Sequence, residues 1–164
     1  MNIRDDQKRN IKVYAIAIAI PVAVGLLSAF MTRESMDIYG ELNTPPLSPP
    51  SILFPIVWTV LYVLMGISSA LVWINKEKDV KTADTAIGVY ALSLAFNFAW
   101  SILFFNFRAF AFSFLWLIAF LILIILTVLL YRRISGLAAY LQIPYILWVA
   151  FAGYLNLGIW VLNQ

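Results

Sequence analysis

Residues Ala109 to Tyr131 read AFAFSFLWLIAFLILIILTVLLY, 23 positions without a charge. As a helix rising 1.5 Å per residue this run reaches about 35 Å, enough to cross a hydrocarbon layer of ~30 Å with some tilt. It is apolar on every side, so lipid is the simplest solvent for it. Four similar runs lie around it: Val13 to Met31, Ile52 to Ile74, Ala86 to Phe105 and Gly136 to Leu162. Pro21, Pro55 and Pro144 interrupt three of the five, which bundled membrane helices tolerate. The expected fold is an all-α integral membrane protein, a single five-transmembrane-helix bundle over 1–164. The first run follows the charged MNIRDDQKRNIK and is too long for a secretion signal, so it is expected to be retained as the first helix.

Composition agrees, since 63% of the chain is hydrophobic and only 12% charged, far from a soluble domain. The formal charge of +3 is distributed as membrane topology would place it, and no nucleic-acid surface is indicated. Short connections make successive spans antiparallel, so the loops alternate sides. Arg4, Lys8, Arg9, Lys12, Lys76, Lys78, Lys81, Arg132 and Arg133 fall on one side, nine in all, against Arg33 and Arg108 on the other. The positive-inside rule then predicts a cytoplasmic N-terminus and an outer C-terminus. The lack of Cys and the short tail favour a bacterial plasma membrane.

Several classes of chemistry are excluded by what the chain lacks. With no Cys and no His there is no disulfide, thiolate nucleophile, imidazole base or usual zinc ligand set, and no metal site is expected. All eight carboxylates lie in the tail, the loops or at span edges, and no Lys or Arg sits deep in a span. Ion-coupled transport, voltage sensing and acid-base catalysis inside the bilayer therefore lose their usual agents. No internal repeat supports an inverted-repeat transporter.

What remains inside the spans is neutral polar and aromatic. On a helical wheel Asn97, Trp100 and Ser101 share one face of the third span, and Ala91, Ala95 and Ala99 the opposite one. The small-residue ladder allows close approach of another helix, within the bundle or across a homodimer. Asn97 suits either an interhelical hydrogen bond or a ligand contact. In the fifth span Tyr145, Trp148, Ala152 and Asn156 fall on one face; in the second, Phe54, Trp58, Tyr62, Met65 and Ser69 form a stripe. Such stripes serve as core packing, interface anchors or binding surfaces, and Trp73 and Trp160 near span ends read as anchors. The loop over 32–51 contains TPPLSPP, a stiff extended stretch that is either a lid or a plain connector. Three aromatic faces near this loop would enclose an apolar pocket for a large planar ligand.

Three blocks, PPLSPPSILFPIVWTVLYVLMGI from Pro45, NFAWSILFF from Asn97 and AAYLQIPYILWVAFAGYLNLGIWVLN from Ala138, resemble the signatures of the translocator-protein (tryptophan-rich sensory protein, TspO/MBR, benzodiazepine receptor-like) family, in order and spacing. The resemblance implies a five-helix bundle, often a homodimer, that binds protoporphyrin IX or a related tetrapyrrole without a covalently bound cofactor. Carried over residue by residue, it implies ligand binding by Trp58, Tyr62, Asn97, Trp100, Trp148 and Ala152. It also implies a lid at Pro45, Pro46, Pro49 and Pro50 and a dimer contact at Ala91, Ala95 and Ala99. Two departures stand out: Ile38 and Ile52 occupy positions where many members carry Trp. Light-dependent porphyrin breakdown with Trp148 as the redox-active side chain is the enzymatic alternative, and Ile38 counts against it. Passive facilitation of porphyrin movement is a third reading. Cholesterol binding through the C-terminal motif is not expected, because no basic residue follows Tyr154.

Overall fold

The computed structural model describes residues 3–164, with side chains from Asp6 onward, so Arg4 lies outside the described side chains. Seven α-helices follow in order among the described residues: α1 Ile3–Thr32, α2 Ile38–Glu41, α3 Leu53–Ile74, α4 Val80–Ser101, α5 Phe110–Ile134, α6 Gly136–Leu141 and α7 Ile143–Leu162. Five segments are long and apolar enough to cross a membrane: Asp6–Thr32, Leu53–Ile74, Val80–Asn106, Phe110–Ile134 and Gly136–Leu162. The helices outrun the charge-free stretches at several ends, because a helix can carry its charged first or last turn beyond the hydrocarbon.

Neighbour contacts run α1 to α3, α3 to α6, α6 and α7 to α5, α5 to α4, and α4 back to α1, closing a ring. Each helix turns one stripe inward. On α5 the buried residues are Ser113, Leu117, Phe120, Ile124, Thr127, Tyr131 and Ile134, a 3.6-residue period. Leu115, Ile118, Ile122 and Leu129 on the same helix are exposed, as are Ile16, Ile20, Leu27 and Phe30 on α1. A belt of large exposed apolar residues is the surface that lipid, not water, covers. At the end remote from the 32–51 loop, Trp73 is half exposed with the Lys76 ammonium 4.1 Å from its ring centre, as a snorkelling interface pair would be.

Glycine sets the closest contact in the ring. A Cβ on Gly66 of α3 would collide with the backbone of Ala17 and Ile18, so only hydrogen lets α1 lie this close. One turn or so away, Gly25 of α1 leaves the room that the Tyr62 ring fills. The span over 136–162 is not one helix: it breaks at Gln142 into α6 and α7. Pro144 lacks the N–H that would continue the ladder, which accounts for the break. Ser68 Oγ donates to the Ala138 carbonyl at 2.7 Å and ties α6 to α3.

The start of α4 is capped by Asp79, whose carboxylate accepts from the Thr82 hydroxyl at 2.6 Å and the Thr82 N–H at 3.0 Å. The Thr82 hydroxyl bond, then the backbone bond, holds this carboxyl below the ordinary 3.8. A lowered carboxyl pKa stabilises the fold above the unfolded value, and that contribution is lost as pH falls through the lower folded value. Asp79→Ala should therefore lower the melting temperature in detergent at pH 7, and the gap from wild type should close below about pH 3.8. A gap that persists undiminished in acid would argue against the cap.

Candidate functional site

The 32–51 loop is not one extended strap. Turns over 33–37 lead into the single turn of α2, Leu42 is extended at its end, and irregular backbone over 43–45 precedes the remaining turns. Ile38 anchors this turn in the core at 4% exposure, an apolar side chain doing by burial what no proline could. Leu47, with φ of 67°, occupies the left-handed region at the exposed crest of the loop. Ser48 Oγ donates to the Pro45 carbonyl at 2.7 Å and braces the turn.

Beneath the loop, α1, α3, the end of α4 and α7 enclose a cavity of about 280 Å³. Its aromatic wall is Phe54, Trp58 and Tyr62 from α3, Trp100 at the end of α4, and Phe104 and Phe105 just beyond it; Ala152 and Asn156 of α7 complete it. Trp58 and Tyr62 stack, with centroids 5.5 Å apart and planes at 28°. Phe104 and Phe105 lie in a π-helical turn over Ile102–Asn106 that continues from α4, where the wider winding closes with Phe107 N–H to the Ile102 carbonyl at 3.1 Å. Turns of this kind gather at functional sites. Asn106 Nδ2 donates to the Met31 carbonyl at 3.1 Å and pins this end to α1.

Two buried asparagines hold the wall. Asn156 accepts from Trp100 Nε1 at 3.2 Å and donates to the Phe110 carbonyl at 2.8 Å. Asn97 donates to the Tyr145 hydroxyl at 3.0 Å and receives a longer contact, 3.4 Å, from the Tyr62 hydroxyl. Both amides thus spend their polar ends on neighbouring helices, fixing the planes of the rings. Buried polar networks of this kind rigidify a core when satisfied.

Of the residues singled out from the sequence, Trp58, Tyr62, Trp100 and Ala152 meet at the cavity. Asn97 stands behind Tyr62, buried to 1% exposure. Trp148 packs edge-on against Phe54, at 5.9 Å between centroids, and lines a separate groove outside the cavity with Val57, Val60 and Phe151. Pro45 is buried, whereas Pro46 and Pro50 are exposed on the loop; Ala91 and Ala95 are exposed and Ala99 half-buried on α4. Tyr39, on α2, was not among the candidates. It lines the cavity edge-on to Phe54 at 5.3 Å, and its buried hydroxyl has no partner among the described residues. An aromatic with a polar tip, six residues before the first of the loop's four prolines, was the available signal. Among the described residues no cluster of His, Cys, Asp and Glu could hold a metal ion.

A loop-covered aromatic cavity inside a five-span bundle defines the chain as a helical integral membrane protein with an apolar interior pocket. The sequence profile of the TspO/MBR family matches residues 17–161, and the chain belongs to that family. It is 34% identical over 160 residues to the tryptophan-rich protein TspO of Chlorobaculum tepidum, covering 94% of this chain and 98% of that one. The translocator protein of Bos taurus is 36% identical over 146 residues, covering 88% and 86%. Protein CrtK of Rhodobacter capsulatus is 33% identical over 125 residues, covering 76% and 78%.

Proposed function

We propose that this protein binds a tetrapyrrole such as protoporphyrin IX in the cavity under the 32–51 loop and serves a sensory, regulatory or transport role. The observation that carries the reading is the wall itself: flat rings from two helices, held in place by asparagines that leave few polar hydrogens free. Such a wall favours a planar apolar body by stacking and dispersion. The Tyr39 hydroxyl, unpartnered among the described residues, is a donor that would meet a polar edge of the ligand. No ionisable side chain lines the membrane-embedded part of the cavity apart from tyrosine, so movement of a ligand through it could only be downhill.

The same reading orients the chain with its basic end and N-terminus in the cytoplasm, in a bacterial plasma membrane. The exposed stripe of Gly88, Ala91 and Ala95 on α4 supports contact with a second copy.

Separate substitutions test the wall. Trp100→Ala should weaken protoporphyrin IX binding at least about 10-fold, as loss of a central aromatic contact does. Trp148→Phe should change it by less than about 3-fold, since it keeps an aromatic ring at a position outside the cavity. The affinities come from porphyrin titrations in detergent, and a reversed order would relocate the site to the outer groove.

A further inference from the structure

We propose that the end of α7 is a latch that holds the loop closed over the cavity, and that release of this latch admits the ligand. The loop segment over 42–52 makes three long-range hydrogen bonds among the described residues, and all of them go to α7 or the residue that ends it. Asn163 uses its carboxamide as a strand edge would: Nδ2 donates to the Asn43 carbonyl at 2.9 Å, and Oδ1 accepts the Asn43 N–H at 2.9 Å. Nδ2 also donates to the Ile159 carbonyl at 2.7 Å, which fixes the amide to its own helix. Further back, the Tyr154 hydroxyl donates to the Pro46 carbonyl at 2.7 Å.

Between these two points the Pro45 ring is buried against Gly158, where a Cβ would lie 2.5 Å from the ring carbons. The glycine therefore provides the seat. Three attachments, at Tyr154, Gly158 and Asn163, run along one side of the last turns of α7.

Two features make this a latch rather than a weld. All three hydrogen bonds are exposed, so water competes for each and the net gain is modest. Leucine at φ 67° on the crest carries backbone strain that opening would release. With the loop in this position the cavity, about 280 Å³, lies just below the ~300–1,000 Å³ usual for drug-sized ligands. A tetrapyrrole thus needs the loop to lift, and this clause alone depends on the proposed ligand.

The test needs no ligand at first. Hydrogen–deuterium exchange of the full chain in detergent, for wild type, Asn163→Ala and Tyr154→Phe, reads the loop amides directly. The latch predicts about 10-fold faster exchange at Asn43, Thr44, Leu47 and Ser48 in Asn163→Ala, with α3 and α5 unchanged. Tyr154→Phe, which keeps the ring, should give a smaller increase. Stopped-flow mixing with protoporphyrin IX should then show faster association for both variants. Wild-type exchange rates in both variants overturn the latch. Faster exchange in a protein that binds no porphyrin keeps the latch and removes the porphyrin reading.

Discussion

Gly66→Val is expected to detach α1 from the bundle. The new side chain would be built into the backbone of Ala17 and Ile18, which cannot rotate away as a side chain could. Overpacking of this kind typically costs 1–3 kcal/mol, and collision with main chain puts this site at about 3 kcal/mol or more. The loss is carried to the site, because Gly25 and Tyr62 lie on the same α1–α3 seam and Tyr62 belongs to the cavity wall. A melting curve in detergent should drop steeply for Gly66→Val, and porphyrin binding should fall with it. Gly88→Val is the control: a Cβ there meets nothing within 4 Å, and its monomer stability should stay at wild type. Equal stability of the two variants would mean that the close α1–α3 approach is not required.

Ala152→Phe is expected to abolish porphyrin binding while leaving the bundle folded. Ala152, at 7% exposure, lines the cavity together with Trp58 and Trp100, and its small side chain leaves the cavity open on the α7 side. A phenyl ring placed there has the cavity itself to enter, so folding is disturbed less than at Gly66. The ring would occupy the volume a ligand needs, and the affinity should fall at least about 100-fold, equivalent to ~2.7 kcal/mol. Unchanged affinity in a folded Ala152→Phe protein would remove the cavity from the binding site.

The five spans were readable because a lipid solvent writes itself as an absence of charge. Inward faces were readable only where a helix mixes residue types. Asn97, Trp100 and Ser101 stand out on α4 against alanines, and Trp58, Tyr62 and Ala152 were likewise turned inward by the wheel. Nothing of the kind is available on α5, where Leu117, Phe120 and Ile124 face the core and Leu115, Ile118 and Ile122 face lipid. Burial in a bilayer does not separate leucine from leucine.

Other features depend on partners distant in the chain. The Asn97 amide is engaged by Tyr62 and Tyr145, on two further helices, so its choice between bracing the bundle and meeting a ligand had no local signature. Trp148 shares a wheel face with Ala152, yet a wheel gives the direction of Cβ and not the reach of an indole. Its ring ends against Phe54 and Phe151 instead of in the cavity. The proline-rich stretch announced a stiff loop, whereas the helical turn of α2 before it depends on burying Ile38. The pairing of Asn43 with Asn163 spans 120 residues, and no periodicity connects them.

The most direct test of the central claim is a titration of the purified protein with protoporphyrin IX in the dark, following quenching of tryptophan fluorescence beside Ala152→Phe. Saturable quenching at one ligand per chain, lost in Ala152→Phe, is the expected result. Absence of saturable quenching in wild type, or the same curve for both proteins, would contradict a porphyrin site in this cavity.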